Sequence, residues 1–204
     1  MKEVNPKDTK RAQAFEMWMK SPMPMVTIVK TFDATRLYKE SRRTGKKFNM
    51  LLCWCIGRAG SQVEECYLLP KDGRLYQYDR LGINVIVDNA EGGISSCDVP
   101  YSDDLKQFSL DYVTRTREVA QTCKDIAEPD AMIIGTSAVV GTELDCIVNQ
   151  YNGIFNNPFL SWARYRKGWF RTTLPISFQF HHVQMDGQQA TRFLVELQKT
   201  MNAL

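Results

Sequence analysis

The chain has 204 residues, 44% of them hydrophobic, and its 26 basic and 23 acidic residues give a formal net charge of +3. That length supports one domain, residues 1–204, with a full core, and the near-balanced charge leaves no electrostatic footprint for nucleic acid. No run approaches the roughly 18 apolar residues of a membrane helix, and the opening MKEVNPKDTKRAQAF lacks the apolar stretch of a secretion signal, so the expectation is a cytoplasmic protein with no membrane and no nucleic-acid partner.

Residues 8–20 read as a first helix, capped by Asp8 or Thr9 and turning Phe15, Trp18 and Met19 to one side. Pro22 and Pro24 end it, and the alternating, β-branched run Met25 to Phe32 reads as a strand. Asp33 opens a second helix that runs to Arg43 with Gly45 at its end, and the strongly apolar stretch Phe48 to Glu65 reads as a buried third helix. Strand-like runs follow near 66–78, with a hairpin turn at Lys71-Asp72-Gly73, and at 82–88. Residues 89–100, with Gly92, Gly93 and Pro100, read as loop. Asp103 to Cys123 is a long amphipathic helix with Leu105, Phe108, Tyr112, Val113 and Val119 inward. Further strands are expected near 131–138, 143–149, 159–166 and 174–182, before a last helix from Gly187 to Met201. The order implies an α+β fold, a mixed and mostly antiparallel sheet flanked by helices.

Six cysteines are present, Cys53 and Cys55 forming a CxC pair that is not a zinc spacing and has no complementary pair; buried free thiols and no metal are the expectation. The only two histidines are neighbours, His181-His182, in FQFHHVQMDGQQ. They end a strand and precede a helix start at Asp186-Gly187. That placement holds a ring rigidly with one nitrogen accessible, and an imidazole, with its unperturbed pKa of about 6.5, can accept and return a proton at neutral pH. Asp186 can cap the last helix or pair with an arginine.

The pattern His-His-x-x-x-Asp-Gly resembles the signature of the coenzyme A-dependent acyltransferases, and further segments resemble the chloramphenicol acetyltransferase family within them: RAQAF in the first helix, VPYSDDLKQFSLDYV, NPFLSWARY and LPISFQFHHVQMDG. The resemblance runs from about residue 8 to the C-terminus and implies a two-layer sandwich that assembles as a homotrimer with its active sites between subunits. It implies acetyl transfer from acetyl-CoA, a co-substrate and not a bound cofactor, to a hydroxyl of a small molecule such as chloramphenicol. By motif position His182 is the general base, His181 is structural, and Asp186 pairs with Arg11. Ser137 in IIGTSAVV matches the oxyanion donor, although Val139-Val140-Gly141 follows where the family commonly has Pro-Trp. Ser161 matches a threonine that holds a site water. Lys47, Arg164 and Tyr165 match positions near the phosphate and adenine of coenzyme A. The acceptor pocket departs most from the family: Trp18 replaces a tyrosine, Val26 and Ile94 replace phenylalanines, and Pro24 replaces a small residue. A different acceptor within the superfamily, or a non-catalytic trimer, are the competing readings.

Overall fold

The computed structural model describes residues 1–151 and 153–204. Its elements in chain order are β1 (Lys2–Val4), α1 (Ala12–Trp18), β2 (Met25–Asp33), α2 (Thr35–Thr44), α3 (Phe48–Ser61), β3 (Leu68–Lys71), β4 (Arg74–Gln77), β5 (Leu81–Asp88), β6 (Ile94–Pro100), α4 (Leu105–Thr122), β7 (Met132–Val139), β8 (Phe159–Ala163), β9 (Arg166–Lys167), β10 (Thr172–His181) and α5 (Gly187–Asn202). The fold is the expected α+β class. A seven-stranded sheet runs β2-β10-β8-β7-β5-β6, with β9 also paired to β10, and a small second sheet runs β1-β4-β3. In the large sheet β5, β7 and β8 are mutually parallel and every other pairing is antiparallel.

Strand alternation divides the large sheet into two chemically different faces. Phe32, Ile83, Ile134, Leu160, Ile176, Phe178 and Phe180 are fully buried and meet Leu51, Leu52 and Ile56 of α3, Phe108 of α4 and Phe193 and Leu197 of α5. Phe178 stacks on Phe193 at 4.5 Å between centroids. The opposite face is polar. Register places Ser177, Ser161 and Ser137 side by side on three strands, and Gln179, Phe159, Gly135, Asn84 and Asp98 in the next row across five. Gly135 is required there because a β-carbon would lie 2.2 Å from the Phe159 ring.

Several expectations need correction. The first helix begins only at Ala12: Asn5 caps a short 3₁₀ turn at Pro6–Asp8, Thr9 is extended, and neither Asp8 nor Thr9 is the helix cap. The third helix stops at Ser61, and Glu64–Tyr67 forms a 3₁₀ turn. Residues 94–100 form strand β6 against β5 from Asp88↔Ile94 to Gly82↔Pro100; the paired glycines marked only its turn, where Gly92 sits at φ +78°. Residues 143–149 have strand-like alternation but form no strand. The segment lies over the polar face and is held by single bonds, Ile147 N to Ser177 Oγ at 2.9 Å and Gln179 Nε2 to Asn149 O at 2.9 Å, where no strand edge offers a ladder. Residues 159–166 are interrupted after Ala163, and β1 had no sequence signal. Val113 is 38% exposed, not inward. Four cysteines are buried free thiols, but Cys123 is half-buried and Cys146 exposed. The hairpin at Asp72-Gly73 is as expected, with φ of 52° and 73°.

Candidate active site

Strand β10 carries the histidines to its C-terminal end, where the chain turns sharply: Gln184 N and Met185 N both donate to the His181 carbonyl. Asp186 then caps α5, accepting from Gln188 N at 3.0 Å while its own N–H donates to Gln189 Oε1, a reciprocal capping box. The helix start thereby fixes the loop holding both histidines.

A single guanidinium organises that loop. Arg11 Nη1 donates to Asp186 Oδ2, Nη2 to the His182 carbonyl and Nε to the Val183 carbonyl, each at 2.9 Å. The Arg11 side chain is only 5% exposed, whereas that of Asp186 is 42% exposed. Burial pushes the Asp186 carboxyl upward, but its bonds from Arg11, Gln188 and Gln189 bring it below the usual carboxylate value. Thr9 Oγ1 accepts from Arg11 N and locates the arginine at the start of α1.

His182 is half-buried. Its N–H donates to the Pro24 carbonyl at 2.8 Å, and its ring lies flat on Trp18, 4.6 Å between centroids and 9° between planes. Its Nδ1 is buried without a hydrogen-bond partner among the described residues. His181 is different in kind: 1% exposed, it accepts from Val183 N through Nδ1 at 3.1 Å, and burial together with the neighbouring His182 lowers its pKa to about 4. It stays neutral at physiological pH, and its ring is occupied in holding the turn.

The remaining candidates fall into two other places. Ser137 is half-buried and opposite Ser161, which is 1% exposed and bonded to Asn149 Nδ2 at 3.1 Å. Ser137 lies level with Ser177, five residues before His182 and two strands away, so strand spacings put it roughly 20 Å from the histidine within one chain. Beside these serines is a cavity of about 570 Å³ whose lining includes Asn84, Ser96, Asp98, Asn157 and Gln179. Asp98 Oδ1 accepts from Asn84 and its Oδ2 from Glu128 N. Lys47, Arg164 and Tyr165 meet in a third location, a cleft of about 920 Å³ at the end of β8 and the N-terminus of α3. Tyr165 packs on Phe48 at 4.9 Å, and Arg164 donates to the Val140 and Gly141 carbonyls. Pro24 and Trp18 flank His182, Val26 faces the helix-covered core, and Ile94 is 68% exposed on the far edge strand, so the four acceptor-pocket candidates are not gathered within one chain.

The sequence does not single out Asn149 or Arg117, and marks Tyr112 only as an inward residue of its helix. Asn149 holds Ser161, and Tyr112 and Arg117 line the large cleft. A helical arginine and a loop asparagine carry no local signal that separates them from solvated residues. Trp18, an acceptor-pocket candidate, stacks on the histidine ring, a contact that no sequence pattern marks.

The chloramphenicol acetyltransferase family model matches residues 2–198. Chloramphenicol acetyltransferase 3 of Escherichia coli is 26% identical over 200 residues, 95% of this chain and 93% of that protein. Chloramphenicol acetyltransferase 2 of the same organism is 24% identical over 194 residues, covering 92% and 91%. Among solved structures, a chloramphenicol acetyltransferase superposes with a TM-score of 0.84 over 98% of this chain and 99% of that one, at 17% identity. The truncated catalytic core of a 2-oxoacid dehydrogenase complex from Thermoplasma acidophilum gives 0.69 over 99% and 97%, at 16% identity, so the fold is shared with such cores.

Proposed function

This chain belongs to the chloramphenicol acetyltransferase family, and on that premise we propose that it transfers the acetyl group of acetyl-CoA to a hydroxyl of a small chloramphenicol-type acceptor, with His182 as general base. The observation that carries the reading is the fixed geometry of His182: its carbonyl is held by Arg11, its N–H by Pro24 and its ring by Trp18. A backbone fixed at both its N–H and carbonyl and a ring stacked on Trp18 spend little entropy on orientation when the acceptor arrives. With Nδ1 buried, Nε2 is the nitrogen assigned to the proton. It takes the proton from the acceptor hydroxyl as that oxygen attacks the thioester carbonyl, and returns it to the departing coenzyme A thiolate. The step needs no acetyl-enzyme and no cysteine nucleophile; Cys53, Cys55 and Cys66 are fully buried, and burial pushes their thiols upward, away from the reactive thiolate.

Ser137 donates to the oxyanion of the tetrahedral intermediate, with Ser161 in the neighbouring strand. Lys47 and Arg164 hold the phosphates of coenzyme A and Tyr165 its adenine, which fits a cleft of about 920 Å³ at a helix N-terminus. Trp18, Pro24 and Ile94 supply acceptor contacts from different subunits, and Val26, which packs against the core, supports them from beneath. We place the enzyme in the cytoplasm, with acetyl-CoA.

The roughly 20 Å between His182 and Ser137 favours a homotrimer in which His182 of one subunit faces Ser137 of the next. Mixing tests this directly. His182→Ala and Ser137→Ala chains are each expected to be nearly inactive. Unfolded and refolded together, every mixed trimer regains one intact site, and thiol release from acetyl-CoA returns to about a quarter of the parent value. No recovery on mixing, or a stable monomer near 23.5 kDa by sedimentation, would overturn the interfacial site.

A second acceptor class is favoured by one observation. The cavity beside Ser137 is walled mainly by Ile86, Ile133, Phe155 and Phe159, but Asn84, Asn157, Gln179 and Asp98 add a polar strip that a hydroxyl-bearing acceptor other than chloramphenicol can use. Comparing thiol release with chloramphenicol and with polyhydroxylated acceptors separates the two.

A further inference from the structure

The connection between β9 and β10 is a tight hairpin. Thr172 and Thr173 pair with Lys167 and Arg166, and Gly168 N donates to the Arg171 carbonyl at 2.8 Å. Its tip presents two adjacent aromatic side chains to solvent, Trp169 at 100% and Phe170 at 93% exposure. Single exposed apolar residues are ordinary; two neighbouring large rings, wholly hydrated at the end of an anchored hairpin, are not. The hairpin base is tied to the start of α2, where Thr172 N donates to Thr35 Oγ1 and Ala34 N to the Thr172 carbonyl, and Lys167 Nζ lies 5.4 Å over the Tyr38 ring.

The surroundings are basic. Lys167 and Arg171 flank the rings, and Arg36 and Lys39 are exposed on α2 beside the hairpin base; none of the four has an ion-pair partner within 4.0 Å among the described residues. The local acids are largely engaged: Glu40 with Arg43, Glu143 and Asp145 with Arg166, while Asp33 accepts from Thr35 N and feels the charge of Arg171.

Magnitude chooses the occupant. Two rings bury about 300–500 Å², well short of the about 800 Å² that each partner contributes to a stable protein interface. A bilayer asks for less: aromatic rings settle at headgroup depth, and cations within about a Debye length are drawn to an anionic surface. We propose that the hairpin at residues 166–171 docks this protein on an anionic phospholipid bilayer, with Trp169 and Phe170 entering the headgroup layer and Lys167, Arg171, Arg36 and Lys39 facing the lipid phosphates. The absence of a spanning helix among the described residues is no obstacle to such peripheral contact.

The test is co-sedimentation of the full chain with phosphatidylcholine vesicles containing about one-third phosphatidylglycerol, beside pure phosphatidylcholine vesicles. The parent protein is expected to pellet with the anionic vesicles and to bind pure phosphatidylcholine about tenfold or more weakly. The pair Trp169→Ala with Phe170→Ala, and separately Lys167→Ala with Arg171→Ala, are each expected to weaken anionic-vesicle binding by about tenfold or more at unchanged melting temperature. A parent that stays in the supernatant with anionic vesicles, or an aromatic double variant that binds as the parent does, overturns the proposal. So does sedimentation equilibrium without lipid in which the aromatic double variant alone drops to a smaller oligomer, which would make the tip a contact between subunits.

Discussion

The histidine half and the serine half of the candidate site are built on different principles. Around His182 the chain closes on itself: α1 supplies Arg11 and Trp18, β2 leads in through Pro24, and α5 starts on Asp186. Around Ser137 the sheet is rigid, but the stretch after Val139 that covers it lacks regular structure up to Phe159 among the described residues and is attached through scattered side-chain and single backbone bonds, such as those at Gly141, Ile147 and Asn149. Positioning in the first half is intrinsic to one chain, and changes there should cost stability as well as chemistry. Changes in the second half should cost chemistry alone.

The largest effects test that asymmetry on turnover. His182→Ala should lower kcat by about 10²–10⁴-fold, and should also destabilise by about 1 kcal/mol through the lost stack on Trp18. Ser137→Ala should lower kcat by about 10²–10³-fold, the range for one oxyanion donor, with no measurable change in melting temperature because its hydroxyl has no partner to lose among the described residues. Steady-state kinetics beside thermal denaturation checks both. Equal stability losses would break the contrast between the halves.

Arg11 comes next. Arg11→Ala leaves three acceptors without their donor and Asp186→Asn weakens one of the three bonds, so losses of about 2–4 kcal/mol and about 1–2 kcal/mol are expected. They are smaller than for a fully buried pair, about 3–5 kcal/mol at full burial, because Asp186 remains 42% exposed. Denaturant titration reads both values, and unchanged midpoints would mean that the clamp is not what holds the loop.

Acid should act through His181. Its folded pKa, about 4, lies below the ordinary histidine value of 6.5, so the unfolded chain binds the extra proton first. Stability is therefore full above pH 6.5 and falls as the pH drops from there toward 4, by about 3 kcal/mol in all. Asp186 has its carboxyl lowered and adds a further loss only below the ordinary carboxylate range, as it protonates. His181→Asn keeps an acceptor for Val183 N and removes the titration, so the slope between pH 6.5 and 4 should flatten. An unchanged slope would place the acid sensitivity elsewhere.

How much of this was legible follows from what each feature depends on. Strand β10, helix α3 and helix α5 were readable because their apolar patterns record burial on one face or all round. Strand β6 was not: its inward face is Ser95, Cys97 and Val99, a short pattern broken by a serine and set between Gly92-Gly93 and Pro100, which read as loop. The 143–149 segment misled for the opposite reason: Leu144, Cys146 and Val148 alternate as a strand does, yet a strand needs an edge to pair with. The Arg11–Asp186 pair spans 175 positions, and no periodicity links such residues; only the family resemblance did. The stack of Trp18 on His182 follows from where α1 docks, which depends on tertiary packing.

The smallest effect expected concerns the large cleft that we propose takes coenzyme A, which belongs to neither half. Lys47 is exposed, sits at the N-cap position of α3 without a side-chain capping bond, and has no ion-pair partner among the described residues, so its charge is free to meet a phosphate. Such a contact sits far from the reacting carbonyl and is the same in ground and transition states. Its removal therefore raises KM and leaves kcat untouched. One exposed cation on a phosphate is worth about 1 kcal/mol, so Lys47→Ala should raise KM for acetyl-CoA about threefold to tenfold, with kcat and melting temperature unchanged. Arg164 is the useful contrast. Its guanidinium also holds the Val140 and Gly141 carbonyls, at the start of the covering stretch that follows Val139. Arg164→Ala should therefore raise KM and also disturb the serine half, lowering kcat. Measuring both variants against acetyl-CoA concentration separates a charge that only binds from one that also supports the loop over Ser137. A fall in kcat for Lys47→Ala equal to that for Arg164→Ala would show that the cleft and the serine half act as one unit.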